Sequence, residues 1–152
     1  PLGVVPTGIG ARDTLRLEAG MPLYGHELTE ETDPFEAGLG YACYLEGVDF
    51  PGRDALLRLR QEPPRAVRVG LKLTGRRVAR QGCPVFVRGE SVGCVTSGTF
   101  SPTLQESIAM AYVRPDVSSP GTEVSVDVRG RQEPARITTL PFYRRNAKGT
   151  RP

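Results

Sequence analysis

The sequence predicts an α+β chain in which a segment of short helices and loops precedes a small antiparallel β-barrel or sandwich. Three observations carry this. The hydrophobic period changes from helical to alternating near residue 63, at the breaker Pro63-Pro64. Six candidate strands, punctuated by Gly and Pro, then follow before residue 141. The 152 residues, 38% hydrophobic and 24% charged with the signs mixed, suit one ordinary domain or two small ones sharing an interface.

The first helix is expected over Ala11–Ala19. It is rich in helix formers and stops at Gly20, with Pro22 beyond. Ala11, Leu15 and Ala19 recur at helical spacing and predict the packed side, while Arg12 and Arg16 share another face. Asp33-Pro34-Phe35-Glu36 reads as an N-cap, a Pro at the first helical position and a capping-box acid, and Gly38 and Gly40 limit that helix to about a turn. Phe50–Gln61 reads as a second amphipathic helix, ended by Pro63-Pro64. Beyond it, Val67, Val69, Leu71 and Leu73 alternate as in a half-buried strand. Pro84–Val87 and Val92–Thr96 flank the turn composition Arg88-Gly89-Glu90-Ser91. Ile108–Val113, Val124–Val128 and Ala135–Leu140 complete the six. The first sixty residues are too few to bury a core alone and should pack on the barrel or on sequence outside this chain.

Composition excludes several classes. No apolar run approaches the ~20 residues of a membrane span, and the first residues lack the basic head and apolar core of a secretory signal. The chain opens without Met and is expected to be part of a longer protein. Arg144, Arg145, Lys148 and Arg151 account for its charge: without them the formal value falls from +3 to −1. That basic end reads as a solvated tail, so nucleic acid is not an expected partner. Cys43, Cys83 and Cys94 form no C-x-x-C pair, which argues against a disulfide scaffold or zinc site and for a reducing compartment, read here as the cytoplasm. His26, the single histidine, has one obvious acidic neighbour, Glu27; it is expected to be structural, and no metal site is expected.

Two motifs are set aside. Gly8-Ile9-Gly10 would need a third dinucleotide-loop glycine where Asp13 stands. Ser97, in Val95-Thr96-Ser97-Gly98-Thr99, lacks the leading glycine of a nucleophile elbow and is expected in a loop between strands. The stretch Gly10–Gly20 carries more information. Two arginines and two acids crowd a short helix beside a loop able to approach a ligand. Either the charges pair internally, Asp13 with Arg16 or Arg12 with Glu18, or an arginine faces an anion or acceptor set from elsewhere.

Here the chain resembles a family. Gly10-Ala11-Arg12-Asp13-Thr14 through Tyr24-Gly25-His26-Glu27-Leu28 resembles the central signature of the glycine cleavage system T-protein, the aminomethyltransferase. The likeness continues through Asp33-Pro34-Phe35-Glu36, Asp49-Phe50-Pro51-Gly52-Arg53, Val92–Leu104, Ile108–Val113, Pro120-Gly121-Thr122 and Leu140-Pro141-Phe142-Tyr143. It covers nearly everything up to Arg145.

The resemblance implies the end of a folate-binding α/β domain followed by a small antiparallel β-barrel. It divides the chain into residues 1–63, the barrel at 64–145 and a basic flexible tail at 146–152. It implies transfer of a methylene group from the aminomethyl-lipoyl arm of H-protein to tetrahydrofolate, with release of ammonia. Tetrahydrofolate is the implied cofactor and lipoylated H-protein the implied partner. The family's aspartate and a folate-contacting glutamate belong to an earlier part of the family sequence, so no catalytic residue is assigned here and the chain alone is expected to be inactive. The arginine of Gly10-Ala11-Arg12-Asp13 carries over as a folate contact, Arg12. Near the C-terminus the counterpart is Tyr143, with Arg144 the alternative. Asp13 and Arg16 are expected to brace Arg12, and Tyr24 to pack. A second family-derived reading stays open: a folate-binding module of a tRNA-maintenance protein or of a methylated-amine oxidase or dehydrogenase.

Overall fold

A computed structural model describes residues 2–47 and 49–145 of the chain; the expected tail at 146–152 lies outside them. The alternating half forms six strands: β1 (Val67–Leu73), β2 (Pro84–Val87), β3 (Glu90–Ser101), β4 (Glu106–Val113), β5 (Glu123–Asp127) and β6 (Gln132–Thr138). They close in the order β1-β4-β3-β2-β5-β6, every neighbouring pair antiparallel. The inward positions are those the alternation marks: Val69, Leu71 and Leu73 of β1 meet Val85, Val95, Ala109, Ala111, Val126 and Ile137 in one core. Each fully buried Val, Leu or Ile contributes about 1.5–3 kcal/mol.

β3 departs from expectation. The Ser97 segment is strand, not loop, and the ladder with β4 skips Thr96: Val95 opposes Ala111, and Ser97 opposes Met110. This bulge reverses the parity of the strand. Val95 faces the core, whereas Ser97 and Thr99 oppose Met110 and Ile108, which pack outside it. Gly98 points inward, where a Cβ would fall 1.9 Å from the carbonyl oxygen of Ala79; the loop between β1 and β2 crosses the barrel there.

The preceding segment lies on this outer face. Helix α1 (Ile9–Glu18) ends at Gly20, whose φ of +65° suits glycine. The Gly20 N–H donates to Leu17 O and the Met21 N–H to Arg16 O, a Schellman closure. The expected packed side is overturned: Leu15 is 62% exposed and Leu17 fully buried, against Ile108 and Met110. Polar bonds choose this face. Thr14 meets Thr99 at 3.3 Å, Arg16 Nη2 donates to Ser97 Oγ at 2.7 Å, and Ser101 Oγ donates to the buried Glu18 at 2.5 Å. Asp33 caps its single turn as expected, accepting the N–H groups of Phe35 and Glu36. Glu36 does not complete the capping box; Arg65 takes its carboxylate instead. Helix α2 (Arg53–Gln61) forms where expected but buries no residue.

Candidate functional site

The two arginines of α1 have different fates. Arg16 is consumed internally: its side chain is 10% exposed and all three of its nitrogens are engaged. Nε and Nη2 reach Asp13 Oδ1, Nη1 reaches Glu27 Oε2 and Met21 O, and Nη2 reaches Ser97 Oγ. The pairing of Asp13 with Arg16 is therefore present, while Glu18 bonds Ser101 rather than Arg12. Arg12, one turn earlier on the helix, is exposed and makes no ion pair among the described residues.

Arg12 stands in a cleft of about 870 Å³ lined by Thr7–Ile9, Leu15, Arg16, Ala19 and the Met21-Pro22-Leu23 strip. Ala11, Leu15 and Ala19, expected to pack on the fold, belong to this open side. The walls are mainly apolar and the principal free charge is a guanidinium. That donor set suits a flat heteroaromatic group with an acceptor edge or a carboxylate, because the apolar walls take the ring and the planar fork takes the anion.

The other residues singled out by sequence do not join this lining. The Tyr143 N–H donates to Glu18 O at 2.9 Å, which ties the end of the chain to the C-terminal end of α1. Its side chain is 44% exposed, and Arg144 beside it is exposed. Tyr24, expected to pack, is 70% exposed. The His26 Nδ1 hydrogen donates to Thr96 O at 3.0 Å, using the carbonyl that the bulge turns outward. Cys43, Cys83 and Cys94 are free, and burial pushes the Cys94 thiol pKa up.

Sequence reading missed the residues that hold the site to the barrel. Arg68 on β1 donates Nε to Ala37 O and Nη1 to Gly20 O, fixing the end of α1. Burial lowers its pKa, because its partners are carbonyls rather than a carboxylate. The Tyr112 hydroxyl donates to Glu27 O at 2.8 Å, and burial raises that phenol to about 12. Glu27 is fully buried. In advance it stood out only as the acidic neighbour of His26 and by its place in the family-like motif.

The family model for the glycine cleavage T-protein C-terminal barrel domain matches residues 67–144, more than half of the chain. The chain belongs to the glycine cleavage T-protein family. A second T-protein model, for the N-terminal domain, matches residues 1–47. An aminomethyltransferase of Symbiobacterium thermophilum is 55% identical over 93% of this chain and 38% of its own length. One from Parasynechococcus marenigrum is 55% identical over 95% of this chain and 40% of its own. The crystal structure of glycine cleavage system aminomethyltransferase T from Bartonella henselae superposes with a TM-score of 0.85 at 39% identity, over 90% of this chain and 39% of that one. The chain thus spans about two fifths of the length of the T-proteins it matches, and it carries the family's barrel as the alternating strands predict.

Proposed function

We propose that this chain is the carboxy-terminal portion of an aminomethyltransferase, which moves a methylene group from the aminomethyl-lipoyl arm of H-protein to tetrahydrofolate and releases ammonia. The observation that supports it best is the contrast on α1: Arg16 is saturated by its own fold, while Arg12 stands uncommitted in an apolar cleft. Tetrahydrofolate, when bound, supplies the nitrogens that accept the one-carbon unit. In this reading Arg12 binds the pterin edge or the tail carboxylates, and Ile9, Leu15 and Leu23 exclude water from one face. Tyr143 and Arg144 are the folate contacts from the chain end, approaching beside the C-terminal end of α1. No group here is assigned the acid–base step, so the chain alone should bind folate weakly and release no ammonia. The three free cysteines fit a reducing compartment such as the cytoplasm.

Titration with tetrahydrofolate tests this, using the chain as it stands and a full-length T-protein carrying the same substitutions. Arg12→Ala should weaken binding by about tenfold or more, the order expected for a lost charge-assisted bond. Tyr143→Phe and Arg144→Ala should each have smaller effects. Equal binding by wild type and Arg12→Ala removes Arg12 from the site.

A further inference from the structure

One wall of the Arg12 cleft, Met21-Pro22-Leu23, belongs to neither helix nor strand. An irregular wall keeps its shape only if its backbone polar groups are held. Backbone bonds hold the Met21 N–H and the Leu23 carbonyl, and two side chains hold the Met21 carbonyl and the Leu23 N–H. Met21 O accepts Arg16 Nη1 at 3.3 Å, and the Leu23 N–H donates to Glu27 Oε2 at 3.0 Å. The same Oε2 accepts Arg16 Nη1 at 2.8 Å. Glu27 therefore joins the wall to Arg16, one of three α1 side chains bonded to β3. Its own carbonyl receives the Tyr112 hydroxyl, a second attachment to the barrel.

Packing alone would not place this residue there. Glu27 has no exposed surface, and its Oε1 is buried without a partner, a costly state for a carboxylate. What the carboxylate supplies is a rigid double anchor with a charge opposite to Arg16. Arg12 and Arg16 lie one helical turn apart on α1. Fixing Arg16 fixes the rotation of α1, and with it the direction of Arg12.

We propose that Glu27 is a positioning residue for the Arg12 cleft: by bridging the Leu23 amide and the Arg16 guanidinium it sets both the Met21–Leu23 wall and the presentation of Arg12. This rests on the folate reading of the cleft, although Glu27 itself is too buried to touch a ligand. The test is a double-mutant cycle read by tetrahydrofolate affinity, with Arg12→Ala and Glu27→Gln alone and together, well below each variant's melting temperature. Glu27→Gln should weaken binding about tenfold, and Arg12→Ala should then cost less than about threefold in that background, because coupled residues are not additive. Unchanged affinity in Glu27→Gln, or full additivity of the two substitutions, overturns the proposal. A residue that merely stabilised the fold would lower the melting temperature and leave the two effects additive. Should Glu27→Gln fail to fold, Glu27→Asp, which keeps the charge and shortens the reach, carries the same cycle with smaller shifts.

If the wild type does not bind tetrahydrofolate, the folate reading fails and the positioning claim is read by amide exchange instead. Glu27→Gln should then speed exchange at Leu23 and leave Val95, whose N–H bonds Cys83 O inside the barrel, unchanged. Unchanged exchange at Leu23 overturns it.

Discussion

Residues 67–138 and the segment before them bury themselves by different physics. The barrel is held by alternating apolar side chains pointing into a closed sheet, with Leu71, Val85, Val126 and Ile137 almost wholly removed from water. The segment has no core of comparable size. It lies against the outside of β3 and β4 through Leu17 and a run of directed bonds: Thr14 to Thr99, Arg16 to Ser97, Glu18 to Ser101, His26 to Thr96 and Glu27 to Tyr112. Apolar burial is tolerant of direction; hydrogen bonds are not. The barrel therefore supplies stability, and the segment supplies geometry, which is what a cleft built around one free guanidinium requires.

The largest expected effect comes from breaking the barrel side of this contrast. Leu71→Ala removes a fully buried side chain from the centre of β1 and should cost about 2–5 kcal/mol in chemical denaturation. Because the segment depends on the barrel surface, both regions should unfold in the same transition. A segment that kept its protection after the barrel had melted would contradict that dependence. The next effect comes from the segment side. Glu18→Ala leaves Ser101 Oγ without its carboxylate partner in a buried place and should cost about 1–3 kcal/mol. Its signature is spatial: amides of α1 should exchange faster while those of β1 and β6 hold. Uniform acceleration would mean that the two regions are one cooperative unit.

The same contrast decides what the sequence disclosed. Five of the six strands stand close to where the sequence places them. Val67–Leu73 and Val124–Val128 are marked by alternation, Pro84–Val87 and Ile108–Val113 as short apolar runs, and Ala135–Leu140 by following the turn at Gly130. β3 did not read as one strand, since the bulge at Thr96 breaks the alternation and Ser97, Gly98 and Thr99 resemble a loop in composition. The end of α1 was legible, because Gly20 supplies a left-handed residue that helix closure needs. Its packed face was not. Counting apolar spacing favours Ala11, Leu15 and Ala19, whereas the fold chooses Thr14, Leu17 and Glu18 by bonds to strand residues more than eighty positions away. For the same reason spacing alone could not separate Arg12 from Arg16: they share a face, and only the folded positions of Glu27 and Ser97 show which one is spent.

A smaller effect sharpens the comparison at the join before β1. Arg65 donates Nε to Glu36 Oε1 at 2.9 Å, and this bond, with the charge behind it, holds the Glu36 carboxyl below its ordinary value of 4.5. A lowered native pKa means that the ionised form stabilises the fold. Its contribution is present above pH 4.5, begins to fall there, and is lost once the pH drops through the lower native value. Arg65 is exposed, so solvent screens the pair and the effect should be modest. Acidification should loosen the Asp33–Leu39 turn, read as faster exchange of the Arg65 amide, which also bonds Glu36. Glu36→Gln should remove that pH dependence; a dependence that survives it must come from another group.

The smallest effect at neutral pH sits at the contact between the two regions. Tyr112 stands on β4 with its hydroxyl donated to Glu27 O, and burial raises its pKa from 10 to about 12. The phenolate cannot donate that bond, so ionisation opposes docking of the segment. The sign follows from the raised native value: the contribution is complete below pH 10 and is lost as the pH climbs toward 12. Ultraviolet titration should therefore show a late step, a tyrosine ionising near pH 12. Tyr112→Phe should abolish that late step and speed exchange around Glu27, with the barrel amides unaffected. If the late step persists in Tyr112→Phe, the phenol is not the group that titrates there. If it occurs near pH 10 in the wild type, the segment does not shield this strand from water, and the directed contact that distinguishes the two regions is absent at Tyr112.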